Sequence, residues 1–290
     1  MKDTFSTYHP IINFIYFIVV ILFTMFFMHP IFLVISLIAS IVYSIRLKGL
    51  RALKFNILYM IPTLIIVALI NMLLNHQGAT ILLYINDNPI TLESIVYGMA
   101  SSVMFISVII WFSCYNEIMT SDKFIYLFGR IIPSTSLIFS MVLRFVPKFK
   151  AQIKEISKGQ RCIGRDVSEG NIFQRARNGV EIVSILVTWA LENAIDTADS
   201  MKSRGYGLRG RTSFSLYHFD KRDKSVLVII LSLIGIIIFG SALGENSMIY
   251  YPQIKVGQVT TMSIIVYTAY FLLSILPIIL DLLEEIRWRL

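Results

Sequence analysis

Charge is what this sequence lacks most. From Thr4 to Ile45 it has no Asp, Glu, Lys or Arg, and over all 290 residues the charged share is 15% against 56% hydrophobic. Mean hydropathy is +0.72. Those values exclude an ordinary soluble domain. The uncharged run is too long for a signal-peptide core and no A-x-A cleavage pattern follows it, so the first span is expected to stay in the mature protein. Cysteine is scarce too. Cys114 and Cys162 form neither a C-x-x-C pair nor a Cys/His metal spacing, which excludes a disulfide framework and points to two unpaired thiols in a reducing setting. His9, His29, His76 and His218 are scattered and suggest no ligand set.

The charge that is present is unevenly placed. Residues 144–225 carry 16 of the 26 Lys and Arg but 9 of the 18 Asp and Glu, hence +7 of the +8 net charge. The chain reads as an apolar body with one basic insertion.

A bilayer crossing needs roughly 20 apolar residues. Six segments qualify or nearly so: Ile11–Met28, Ile31–Ile45, Phe55–Leu74, Ser94–Tyr115, Ser225–Leu243 and Gln258–Leu280. Lys and Arg collect on the cytoplasmic side of membrane proteins. The loop at 46–54, with Arg46, Lys48, Arg51 and Lys54, is therefore expected inside. The 75–93 loop, with Asp87 and Glu93 but no Lys or Arg, is expected outside, as is 244–257 with only Lys255. Both termini then fall in the cytoplasm and the protein is a multi-pass cell-membrane protein. The apolar runs Ile131–Leu143 and Ile182–Leu191 are short, and a crossing at the first would place the nine Lys and Arg from Arg144 to Arg177 outside. Residues 116–224 therefore read as a cytoplasmic and interfacial region between membrane domains at 1–115 and 225–290. The expected fold is an all-α membrane protein with about six transmembrane helices and long amphipathic cytoplasmic helices.

Two of those cytoplasmic helices stand out. Along 146–165, Lys150, Lys154, Lys158, Arg161 and Arg165 fall within about 80° of a helical wheel, and Phe149, Ile153, Ile156 and Ile163 within another arc of about 80°. Such a helix suits either a headgroup boundary or an acidic partner, and equally a solvated face over a buried stripe. Along 180–204, Ala190, Ala194 and Ala198 recur every four residues on one apolar face, which lets another helix approach closely. Glu181, Glu192, Asp196 and Asp199 lie opposite, facing either the basic helix or solvent. Arg204 falls in the last turn, where a cation suits the helix dipole, and Gly205 stands where a helix ends in a left-handed residue. Arg161, Gly164 and Arg165 make a comparable ending 43 residues earlier, counted from Arg161 to Arg204.

Several catalytic motifs are excluded. Gly205-x-Gly207-x-x-Gly210 matches a dinucleotide fingerprint in letters, but a helix precedes it and a polar loop follows. Gly159 to Asp166 lacks the Lys and Ser/Thr of a phosphate loop, and H-E-x-x-H is absent. The chain is not expected to be an enzyme, to hydrolyse ATP itself, or to hold a cofactor or metal.

With those residues in view, the sequence resembles the T component, the CbiQ/EcfT-like transmembrane scaffold, of energy-coupling-factor (ECF) ABC importers. That family carries Ala-Arg-Gly motifs at the ends of two coupling helices. The second stands here as Ser203-Arg204-Gly205, followed by RGRTSF at 209–214. The first stands in KGQRCIGRD, where Gln160 and Arg161 match the run-in and Gly164 the motif glycine, with Ile163 at the arginine position and Arg161 or Arg165 as possible substitutes. LRFVPKF and HPIINFIYF also resemble the family, and the likeness covers nearly the whole chain, the last span being an addition to the commoner pattern. The resemblance implies partners: two ABC-type ATPase subunits that grip the coupling helices, and a small substrate-binding membrane subunit that delivers a vitamin or metal ion. It assigns ATPase coupling to Arg161, Gly164, Arg165, Ser203, Arg204 and Gly205.

Three rivals remain at this stage. A conventional ABC permease has coupling helices too, usually one per subunit of a symmetric pair. An intramembrane enzyme would draw on Glu117 and Asp122, which read better as charges at a helix end. A nucleic-acid-binding anchor fits poorly with the acidic residues between 181 and 199.

Overall fold

The computed structural model describes residues 4–85, 88–129, 133–168, 170–208, 217–257 and 259–289. Asp87, Ile131, Gln258 and the 209–214 stretch with Arg209, Gly210 and Arg211 lie outside the described residues. The chain divides into two compact units, Met1–Phe124 with Tyr217–Leu290, and Ile125–Leu216.

The first unit is a helical bundle: α1 (Pro10–Phe26), α2 (Pro30–Lys48), α3 (Leu50–Leu74), α4 (Leu92–Ile118), the start of α5 (Ser121–Gly129), and α8 (Lys221–Ala242) and α9 (Thr261–Arg289). Two small antiparallel ribbons join helices, β1 (Ile81–Ile85) with β2 (Asn88–Thr91), and β3 (Met248–Ile249) with β4 (Lys255–Val256). A repeated His-Pro-Ile starts the first two helices. Pro10 and Pro30 sit at the first helical position, where the missing N–H costs nothing. His9 and His29 accept from the N–H of Ile11 and Ile31 through Nδ1, at 3.3 and 3.4 Å. Burial holds both imidazoles below their usual range, Asp223 partly opposing this at His9. A neutral imidazole offers Nδ1 as the acceptor that capping requires.

Polarity is distributed as a bilayer demands. Ile18, Leu22, Val34, Ile38, Phe105, Ile109, Ile229 and Leu272 are exposed, whereas Thr24, Ser36, Ser40, Ser101, Ser102, Ser107 and Ser274 are buried. The buried hydroxyls link helices. Trp111 Nε1 on α4 donates to Ser36 Oγ on α2 at 3.0 Å, and Thr24 Oγ1 on α1 meets Ser36 Oγ at 2.8 Å and Tyr270 Oη on α9 at 3.1 Å. Small residues bring backbones together. A Cβ on Gly98 of α4 would lie 3.1 Å from Asn71 Cβ of α3, and Ser102 Oγ donates to Leu64 O at 3.2 Å. Trp111, Tyr16, Tyr43, Tyr270, Phe17 and Phe32 fill the centre.

Helices stand at all six predicted spans. Among the described residues, five helical segments, in α2, α3, α4, α8 and α9, are long and apolar enough to cross a membrane, while α1 is a shorter apolar helix of 17 residues. The protein is thus an all-α membrane protein. The expected basic loop at 46–54 shrinks to Gly49, whose φ of +70° allows the reversal from α2 to α3, so Arg46, Lys48, Arg51 and Lys54 belong to helices.

Helix ends within this unit sort by charge. One end gathers Arg46 with Asp281 and Glu285, Lys48 with Glu117, and Arg222 with Glu284. It also holds buried Lys123, which donates to Ser6 O and Ile118 O at 2.6 and 2.9 Å. At the opposite end the connecting segments 27–29, 75–91 and 244–260 contain Lys255 as their sole Lys or Arg. Hydrogen bonds and aromatic contacts tie that end together. Tyr250 Oη donates to Met28 O at 2.5 Å, Asn75 Nδ2 to Tyr251 Oη at 2.8 Å, and both tyrosine rings pack on Tyr97 with centroids 5.4 Å apart.

The second unit contains the rest of α5, then α6 (Pro133–Cys162) and α7 (Ile172–Ser203). The run Ile131–Leu143 is no separate element: from Pro133 it continues into the basic amphipathic stretch as α6. Ile182–Leu191 lies inside α7, which starts earlier than 180, at an Asn171/Gln174 capping box.

Candidate functional site: two capped helix tips

The helices α6 and α7 form an antiparallel hairpin. Phe149 packs edge-on against Trp189 with centroids 5.8 Å apart, Lys148 Nζ donates to Asn193 Oδ1 at 2.7 Å and lies 5.0 Å from the Trp189 centroid. At the other end Arg165 pairs with Glu181. On α7 the less exposed side chains include Asn178, Ile182, Leu186, Trp189, Asn193, Thr197 and Met201, which repeat every three or four residues. This is the stripe that meets α6. Ala190 lies at its margin, whereas Ala194 and Ala198 are exposed.

Both helices end in the same backbone device. The N–H of Gly164 donates to Arg161 O at 3.0 Å and that of Arg165 to Gln160 O at 2.9 Å. The N–H of Gly205 donates to Lys202 O at 2.9 Å and that of Tyr206 to Met201 O at 3.0 Å. Gly164 and Gly205 both have φ of +77°. Each end is thus a Schellman motif, with paired 6→1 and 5→2 bonds about a left-handed residue. The end of α8 at Gly244 shows the same bonding, from Gly244 to Ser241 O and from Glu245 to Gly240 O, so the backbone alone is not distinctive. The side chains are.

Superposing the two motifs position by position pairs Cys162 with Ser203, Ile163 with Arg204, Gly164 with Gly205 and Arg165 with Tyr206. Arg161 pairs with Lys202, two positions before Ile163, and its Nε lies 3.1 Å from Asp166 Oδ2. The Ser168 backbone N–H, with its hydroxyl and Arg161, holds the Asp166 carboxyl below the usual carboxylate range. Asn178 Nδ2 donates to Asp166 O at 2.9 Å and Arg175 Nε to Val167 O at 2.8 Å, tying the connecting loop to the first turns of α7. Arg161 and Arg165 are thus each held in an ion pair within the hairpin, with both side chains exposed. Cys162, Ile163, Ser203 and Arg204 are exposed, and among the described residues no ion pair engages Arg204. Because the hairpin is antiparallel, its tips lie at opposite ends. From Glu181, beside Arg165, to Arg204 is about 35 Å of helix at 1.5 Å per residue.

The other candidates are dispersed. Glu117 Oε2 lies 3.7 Å from Lys48 Nζ, and Asp122 is exposed in the first turn of α5. Among the described residues no group of His, Cys, Asp and Glu is placed to hold a metal ion, and neither cysteine forms a disulfide, Cys114 being buried and Cys162 exposed. Sequence reasoning missed the loop ties made by Arg175 and Asn178. It also missed the α7 start, although Asn171 followed three residues later by Gln174 is a capping-box signature.

Curated relatives bear on identity. The chain is 28% identical over 209 residues to energy-coupling factor transporter transmembrane protein EcfT 1 of Listeria monocytogenes, across 67% of this chain and 75% of that one. It is 25% identical over 208 residues to the EcfT of Bacillus subtilis, covering 68% and 76%. Against the EcfT of Lactobacillus helveticus identity rises to 33% over 108 residues, but the match spans only 39% of that relative's length. No family model matches the sequence. Taken with the helical membrane bundle, these matches make the chain similar to the EcfT proteins, the transmembrane proteins of energy-coupling factor transporters.

Proposed function

We propose that this chain is the non-catalytic energy-coupling scaffold of an ECF-type ABC importer. Its two helix tips dock on a pair of ATPase subunits. The movement of those subunits on ATP binding and hydrolysis passes through α6 and α7 to a small membrane-embedded subunit that binds a vitamin or metal ion. The observation that carries this reading is the pair of equivalent Schellman tips at opposite ends of one hairpin, one capped by the exposed Arg204. A rigid rod with a docking point at each end can couple two partners that move relative to each other. A planar guanidinium held at a helix end suits a carboxylate or carbonyl of such a partner. The exposed Ala194 and Ala198, with Ala190 beside them, provide the close-approach face for the substrate subunit. The end of the first unit that bears Arg46, Lys48, Lys123 and Arg222 faces the cytoplasm, with both termini.

The test replaces Arg204 with Ala or Glu and follows assembly and uptake. One desolvated interface arginine is worth about 2 kcal/mol or more, so Arg204→Ala should weaken ATPase copurification or uptake at least tenfold, and Arg204→Glu further. Normal assembly with normal uptake in both variants would refute the assignment.

A further inference from the structure

The two tips share a backbone but not a chemistry. At the cap position α7 offers the guanidinium of Arg204, and α6 offers the sec-butyl group of Ile163, 64% exposed. The two arginines flanking Ile163 do not make up the difference, because Arg161 is paired with Asp166 and Arg165 with Glu181. Beyond Ile163 the α6 tip presents Cys162 and Gly164, both uncharged and exposed. An exposed β-branched hydrophobe on a rigid helix end, with the neighbouring exposed arginines each ion-paired within the hairpin, has the form of an apolar plug.

The geometry points to two unlike docking contacts: Ile163 enters an apolar socket on one partner ATPase, while Arg204 enters an acidic or carbonyl-lined socket on the other. This rests on the reading that the tips dock on ATPases, and adds to it the chemistry of the first socket. An apolar socket rejects a guanidinium, since burying an unpaired charge costs far more than the lost packing of one side chain. The sockets therefore discriminate, and the chain docks in one orientation. Salt separates the contacts as well. Screening weakens the Arg204 contact and leaves the Ile163 contact nearly untouched.

The test uses the full complex, the tagged chain coexpressed with its ATPase and substrate subunits. Ile163→Leu should keep uptake within about twofold, a volume-conserving exchange in an apolar socket. Ile163→Arg, which restores the family's Ala-Arg-Gly residue type at this position, should lower ATPase retention or uptake roughly tenfold or more. In about 1 M salt the wild-type complex should lose its Arg204 contact first. The native thiol of Cys162 and a Ser203→Cys thiol in a Cys162→Ser background occupy equivalent positions, so a benzophenone maleimide attached to one thiol and photoactivated, which inserts into neighbouring C–H bonds without needing a partner thiol, reports each tip separately. Each thiol should capture a different ATPase surface, and the Cys162 cross-link alone should persist in high salt. Uptake by Ile163→Arg equal to or above wild type, or two cross-links equally sensitive to salt, would overturn the apolar plug. An assembled, active complex in which neither thiol captures an ATPase would instead overturn the docking reading itself. The substituted positions are exposed, so the variants should purify as the wild type does.

Discussion

Arg46 reaches Asp281 across the bundle, with Nε 3.4 Å from Oδ2, while Oδ1 of the same carboxylate accepts the backbone N–H of Thr4 at 2.9 Å and of Phe5 at 3.3 Å. One buried carboxylate thus fastens the N-terminal turn, the end of α2 and the end of α9. Glu285 adds a second contact to Arg46 at 3.0 Å. Removing Asp281 leaves two backbone donors and a half-buried guanidinium short of an acceptor.

Asp281→Ala is therefore expected to destabilise the bundle by about 3–5 kcal/mol, the cost of breaking a largely buried pair from one side. Asp281→Asn should cost less, because its amide oxygen still accepts from Thr4. Cys114 is buried and Cys162 exposed, so in a Cys162→Ser background the rate at which Cys114 reacts with a thiol dye on heating reports unfolding. Equal melting of wild type and Asp281→Ala would show that the carboxylate fastens nothing.

The sequence made the bundle legible for a simple reason. Long uncharged runs leave few alternatives, and each run between Ile11 and Leu280 became a helix at its expected place. Boundaries were harder. Charge was read as loop at 46–54, yet a helix can carry Arg46 and Lys48 in its last turn, where they also suit the dipole, and only Gly49 is needed for the reversal. The run at 131–143 was ambiguous because length and hydrophobicity do not say whether a helix stops, and α6 runs on through Pro147 to Cys162. At the tips, Gly205 and Gly164 announced the helix ends. Matching Gly164 with Gly205 already set Ile163 at the position of Arg204, and the hydrogen bonds of the two motifs pair the same residues. The partners of Arg161 and Arg165 depend on how the loop folds over α7, which one-dimensional spacing does not encode.

Gly240 of α8 packs tightly against Val266 of α9. A Cβ there would stand 2.2 Å from Val266 Cγ2, and Val266 is itself buried. Gly240→Ala must push the helices apart or force Val266 off its rotamer, at about 1–3 kcal/mol. Val266→Ala makes room, so the double variant should recover most of that loss. A coupling energy near 1 kcal/mol or above in the double-mutant cycle is expected for residues in contact. Additive effects would mean that the helices do not meet at this point.

Tyr250 gives a pH signature at the end of the bundle that is poor in Lys and Arg. Burial, reinforced by the neighbouring Tyr97, pushes its phenol from 10.0 up to about 12. Its hydroxyl donates to Met28 O at 2.5 Å, a bond that only the protonated form can make. The folded pKa lies above the unfolded one, so the protonated form is favoured by folding. That contribution is fully present below pH 10 and is lost as pH rises from 10 to about 12. Wild type should therefore lose thermal stability across that window, and Tyr250→Phe, which lacks both the bond and the titration, should lose less across it. The difference between their tyrosinate absorbance titrations should show one phenol ionising near the top of the window. A difference spectrum centred at 10 would mean that Tyr250 is solvated and that the strap it forms to Met28 is open.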